Sequence, residues 1–215
     1  MAERIVLVVG PESSGTRIIT ELLSLHPEVK GSENARKHLD ALDSFWTALA
    51  DGRDHDAAKS FPQHDRSGVI VTRRSMPCGD APGSKARYMA FPNLAGFHSI
   101  VRAQGLELFT LVTTRSTAAN LGSWVDSRAS VDGSVEKAKS QYEAAYREIF
   151  DFILTSRCRF SFVSLEAFIH ETDSSIRSLY QLLGLSAFEP SVNLHSDVNE
   201  ERYRWYDSLG SRGSL

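Results

Sequence analysis

The run Ile5-Val6-Leu7-Val8-Val9, closing on Gly10, constrains this chain more than any other feature. Its residues are apolar and mostly β-branched with no polar alternation, so the strand they form must be buried on both faces. Burial on both faces implies a parallel sheet covered by helices. Ile18, Ile19, Leu22, Leu23 and Leu25 then recur at helical spacing until His26-Pro27 stops the helix. A buried strand, a glycine-bearing loop and an amphipathic helix make the first half of a βαβ unit.

The pattern repeats along the chain. Val69 to Thr72 reads as a second strand that runs into a polar turn, Arg73-Arg74-Ser75. Leu94 to Gln104 reads as a helix, Leu108 to Thr113 as the strongest central strand, and Thr114-Arg115-Ser116 as the polar turn after it. A helix start at Ala118 to Trp124 and a long helix from Val135 to Leu154 follow, the latter with Ala138, Tyr142, Ala145, Ile149, Phe152 and Ile153 on one side. Phe160 to Val163 is a fourth strand, and Ile176 to Leu183 a helix closing on Gly184. Between the first two strands, Leu39, Leu42, Phe45, Trp46 and Leu49 suggest a helix, while 51–66 reads as an exposed loop. Residues 76–92, with three prolines and two glycines, read as a loop or lid. The expectation is one three-layer α/β/α domain over residues 1–215, with a mostly parallel central sheet.

Charge and cysteine usage narrow the function. A net charge of −3 argues against a general nucleic-acid binder, so an anion site here must be a local gathering of donors. Cys78 and Cys158 lack metal-ligand spacing and are too few for a disulfide framework. The acidic, histidine-bearing stretch 51–65 fits no metal-site spacing either, and no metal is expected. The apolar run near the N-terminus is too short for a signal peptide, and no run of about 18 apolar residues exists. The expectation is a cytoplasmic chain with no membrane contact; oligomeric state is open.

In open α/β sheets, ligands gather at the carboxyl ends of strands. Here three strand ends carry polar clusters: 10–17, 73–75 and 113–116. In the first, Gly10-Pro11-Glu12-Ser13-Ser14-Gly15-Thr16-Arg17, a glycine lets an oxyanion approach the main chain. The amides opening the next helix point at that anion. Ser13, Ser14 and Thr16 add hydroxyls, and Arg17 adds a charge. The two glycines have the spacing of a nucleotide-triphosphate loop, G-x-x-x-x-G-K-[ST]. Thr16 stands where that loop needs lysine, and Arg17 where it needs a magnesium-binding hydroxyl.

The loop resembles the 5′-phosphosulfate loop of the P-loop sulfotransferases, P-x-S-G-T-[TR]. That family moves a sulfuryl group from 3′-phosphoadenosine 5′-phosphosulfate (PAPS) to an acceptor. Leu111-Val112-Thr113-Thr114-Arg115, with Ser123 eight residues on, is similar to the family's 3′-phosphate motif. Phe162 to Glu166 and the helix closing on Leu182-Leu183-Gly184-Leu185 look like its late strand and helix. The resemblance covers about residues 4–206. It implies a P-loop-like fold and PAPS as cofactor, held by Pro11, Ser13, Ser14, Gly15, Thr16, Arg17, Arg115 and Ser123. It also implies a hydroxyl or amine acceptor on a small molecule or glycan. Arg202, Arg204 and Arg212 stand where family members often close a basic segment over the 3′-phosphate.

Two departures stand out. Ser13 occupies the place of the family's loop lysine, and Arg73-Arg74-Ser75-Met76-Pro77 replaces its K-T-H-x-P pattern. Arg73 or Arg74 can stabilise charge on the transferring group. Serine cannot act as the histidine base. Glu33 and His38 are the first candidates for that base, with His64 and His98 behind them. His26 reads instead as a cation at the helix end. Phe61, Tyr88, Phe91 and Phe97 are candidates for an acceptor pocket, although aromatics at these spacings are more often core. The competing functions are a P-loop kinase and a non-catalytic nucleotide-binding protein of the same fold.

Overall fold

A computed structural model describes residues 4–30, 46, 48–49, 53–60, 68–77, 91–127, 131 and 133–189. Glu33, His38, Phe61, His64, Cys78, Tyr88 and the arginines beyond 200 lie outside the described residues.

Five parallel strands form one sheet: β1 (Arg4–Pro11), β2 (Val29–Lys30), β3 (Val69–Met76), β4 (Glu107–Thr114) and β5 (Arg159–Ser164), in the order β2-β3-β1-β4-β5. β1 is central, and its alternate side chains enter two different cores. Ile5, Leu7 and Val9 join Phe97, Ile100, Val101, Ile149, Phe152 and Ile153 on one face. Val6 and Val8 join Ile19, Leu22, Leu23, Phe168, Ile176 and Leu179 on the other. The first face is covered by α3 (Leu94–Ala103) and α5 (Val135–Ser156), the second by α1 (Thr16–Ser24), α6 (Leu165–His170) and α7 (Thr172–Leu182). Each buried Val, Leu or Ile contributes about 1.5–3 kcal/mol, which is why this unbroken run dominates the layering.

Local signals set the helix starts. Asn93 caps α3 by accepting from Gly96 N, Ser134 caps α5 by accepting from Lys137 N, and Ser164 caps α6 by accepting from Ala167 N. α4 (Thr117–Ser127) packs Trp124 against Val131 and Ala138 as a small third cluster at the carboxyl end of the sheet.

Three readings need correction. The polar turn Arg73-Arg74-Ser75 is part of β3, because that strand continues to Met76 by pairing with Val8 to Pro11. Part of the supposed loop 51–66 is helix α2 (Asp54–Ser60), which turns Ala57 into the first core. The chain also has a fifth strand, β2, paired with the start of β3.

Candidate functional site

The carboxyl end of β1 is where the chain parts: β1 leads to α1 on one face, while its neighbours β3 and β4 lead toward helices on the other. Ligands favour this kind of crevice. The segment Glu12-Ser13-Ser14-Gly15 fills it and is tied to both neighbouring strands. Glu12 N donates to Met76 O at 2.8 Å, and Ser14 N to Pro11 O at 3.0 Å. Ser14 Oγ lies 2.6 Å from Thr113 Oγ1 across the end of β4, and Thr16 Oγ1 lies 2.7 Å from Ser75 Oγ across the end of β3. The three polar strand ends thus meet through hydroxyl pairs.

Two glycines make this possible. A Cβ on Gly10 would fall onto Thr113 Oγ1 and Ser14 Oγ, so the hydroxyl pair can cross the strand end only over a glycine. Gly15 has φ +97 and sits as the N-cap of α1, with Leu165 Cδ1 2.8 Å from where its Cβ would be. No side chain caps α1 and no acidic residue lies in its first turn. Among the described residues its leading amides therefore have neither an intrahelical acceptor nor a capping oxygen, and the positive end of the dipole faces the crevice.

Arg115 follows β4 directly and is 8% exposed. Its Nη1 donates to Ser13 O at 3.0 Å, and Ser123 Oγ on α4 donates to Ser13 Oγ at 3.1 Å. A nearly buried guanidinium thus sits beside the loop, which is the setting for a strong anion contact. Ser13 itself has φ +64, the left-handed region that serine seldom adopts.

Pro11, Ser13, Ser14, Gly15, Thr16, Arg115 and Ser123 all come together here. Arg17 does not join them: its Nε donates to Glu21 Oε1 at 2.7 Å on the exposed face of α1, and that carboxylate raises the guanidinium's pKa. Arg73 and Arg74 are separated by the pleat. Arg74 turns to the α3/α5 face, its Cζ 4.7 Å above the buried Trp46 ring, which stacks on Phe97. Arg73 lies on the opposite face, the one that carries Ser75 and α1.

The described histidines sit elsewhere. His26 is buried at the end of α1. Its Nδ1 accepts from Glu28 N at 3.1 Å, so Nε2 carries the proton directed at Ser186 O, 3.0 Å away. His98 is on α3 in edge contact with Phe152, and burial, then Arg102, lowers its pKa. Phe97 is core.

Several supporting residues carried no sequence signal. Trp124 Nε1 donates to Glu12 O at 2.6 Å, and Tyr146 Oη to Thr113 O at 3.4 Å. Burial first, then the neighbouring Tyr142, pushes the Tyr146 hydroxyl far above its usual range, so it keeps its proton and stays a donor. Glu166 accepts from Ser116 N at 2.7 Å and from Ser164 Oγ at 3.1 Å, bracing the turn that carries Arg115. Among the described residues there is no group of three or more His, Cys, Asp or Glu placed to hold a metal. No helix among them is long and apolar enough to cross a membrane.

No family model and no curated protein matches the chain. Among solved structures it is similar to a sulfotransferase from Alicyclobacillus acidocaldarius, at 14% identity and a TM-score of 0.48, over 99% of this chain and 94% of that one. It is also similar to retinol dehydratase, solved in a complex with retinol and PAP, at 11% identity and a TM-score of 0.39, over 97% of this chain and 65% of that one. At these identities no side-chain role transfers from either.

Proposed function

We propose that the chain binds PAPS and transfers its sulfuryl group to a hydroxyl or amine of a small-molecule or glycan acceptor. One observation carries the reading: two anion-receptive features meet at Ser13. The uncapped start of α1 behind Gly15 is one, and the near-buried Arg115 with Ser123 is the other. A ligand with anions on both sides of a ribose needs two such sites close together, and the loop motif resembles one that serves this purpose. The reading needs no metal.

The amides opening α1, with the hydroxyls of Ser14 and Thr16, would hold the 5′ group. Arg115 and Ser123 would hold the 3′-phosphate. PAPS would supply an activated sulfuryl group. In transfer, the acceptor oxygen or nitrogen forms a bond to sulfur as the bond from sulfur to the bridging phosphate oxygen breaks, and adenosine 3′,5′-bisphosphate leaves. Arg73, on the α1 face, would stabilise charge on the group in transit. The acceptor proton goes to a base, for which Glu33 and His38 stand as candidates.

Calorimetric titration tests this. Adenosine 3′,5′-bisphosphate should bind in the micromolar range, and Arg115→Ala should weaken it about a hundredfold. ATP with magnesium should not compete. Tight ATP–magnesium binding without a bisphosphate response would move the kinase reading to the front. The non-catalytic alternative draws support from Ser75, whose hydroxyl is tied to Thr16 where the family pattern has a histidine. It predicts bisphosphate binding with no sulfuryl transfer to any acceptor.

A further inference from the structure

Asn120 on α4 is fully buried, and neither its Nδ2 nor its Oδ1 has a hydrogen-bond partner among the described residues. Its backbone amide is satisfied by Ser116 O at 2.9 Å, so the deficit belongs to the side chain alone. A buried amide left in this state bears its full desolvation cost, which native proteins seldom tolerate without a use for the group.

Its position indicates the use. At about 100° per residue around a helix, Asn120 falls between Ser123 and Trp124. Those two side chains reach Ser13 Oγ and Glu12 O. Asn120 is therefore at the centre of the face that α4 turns to the loop, one turn nearer to Arg115. Ser13, in its left-handed backbone, is held by Arg115 at its carbonyl and by Ser123 at its hydroxyl, the two residues that flank Asn120 in the chain.

Ser123 has a single proton, and in the free protein it goes to Ser13 Oγ. The same proton cannot serve Ser13 and a bound phosphate at once. The geometry points to Asn120 as the positioning residue that takes Ser13 over when an anion takes Ser123. The exchange serves both sides: Ser13 regains a donor from Asn120 Nδ2, and one of the amide's two unmatched atoms gains a partner. The unmatched group in the free protein thereby becomes part of the affinity for the ligand. The inference rests on the anion reading above and adds a residue that does not itself touch the ligand.

The test uses the full chain and Asn120→Leu, which keeps the number of side-chain heavy atoms and removes both polar ones. The midpoint of thermal unfolding without ligand should stay level or rise, because an unmatched group has gone. Bisphosphate affinity should fall about tenfold. In a Ser123→Ala background the same substitution should have almost no effect on affinity, because no exchange remains to be made. Equal affinity in wild type and variant overturns the proposal, as do additive effects with Ser123→Ala. A lowered midpoint in both Asn120→Leu and Asn120→Ala overturns it too, since the amide is then already satisfied in the free protein. If wild type binds no bisphosphate, the anion reading fails and this proposal with it; measurable and equal binding by wild type and variant means that this proposal alone fails.

Discussion

The two ends of the sheet both gather arginines and hydrogen-bonding groups, yet they are built differently. At the amino end, Glu107 is shared by Arg4 Nε at 2.9 Å and Arg159 Nη1 at 3.0 Å, and Arg4 Nη1 also reaches Leu183 O. Opposite charges lie in contact across neighbouring strands, which staples β1, β4 and β5 together. At the carboxyl end, Arg115 is directed at a backbone carbonyl, and hydroxyls meet hydroxyls around an uncapped helix start. Carboxylate pairing serves stability, whereas hydroxyls and carbonyls can be exchanged for a ligand's oxygens.

The largest expected break in this contrast comes from Gly10→Ala. Its Cβ displaces the Ser14–Thr113 pair, and overpacking of this kind costs about 1–3 kcal/mol. Denaturant unfolding should show the loss, and bisphosphate binding should fall with it. Next, the pleat should separate two adjacent arginines. Arg73→Ala should weaken PAPS more than the bisphosphate, since only PAPS carries the sulfuryl group. Arg74→Ala should leave that ratio unchanged and lower stability by about 0.5–2 kcal/mol through loss of its stacking on Trp46.

The amino end should respond in the reverse sense. Glu107→Gln should cost at most about 1 kcal/mol, because the pair is partly solvated, and leave bisphosphate affinity as it was. Burial works against the Glu107 carboxylate, but its hydrogen bonds from Arg159 and Arg4 outweigh it and hold the pKa below the ordinary value. A carboxylate with a depressed folded-state pKa contributes stability above its unfolded pKa and loses it as pH falls through the folded one. Acid titration of stability should therefore be flatter below pH of about 4.5 in Glu107→Gln than in wild type. The smallest effect is expected from Arg17→Ala. Its exposed pair with Glu21 predicts a stability change within about 0.5 kcal/mol and no change in bisphosphate affinity. A tenfold affinity loss there would show that Arg17 leaves Glu21 for the ligand.

Much of the architecture is legible in the sequence alone. β1, α1, β4 and α5 each carry a long local period, and local periods are what a sequence displays directly. The elements missed lack one. β2 is two residues long, and α2 reads Asp-His-Asp-Ala-Ala-Lys-Ser with a single buried alanine to mark its inner face. β3 runs on through two arginines and a serine because β1 supplies its hydrogen bonds, and that pairing leaves no trace in the composition of β3. The burial of His26 at the end of α1 was hidden for a related reason: its partners include Ser186, 160 positions away.

The sequence by itself determined the glycine loop between a doubly buried strand and a helix, and the spacing of Arg115 and Ser123 behind a second such strand. These follow from side-chain type and separation along the chain. Only the tertiary structure decided that Arg115 and Ser123 converge on Ser13, and that Arg73 and Arg74 face opposite layers. It also turned Arg17 outward and buried the Asn120 side chain without a hydrogen-bond partner among the described residues. Each of these depends on contacts between residues far apart in the chain, whose geometry is set by packing the whole sheet.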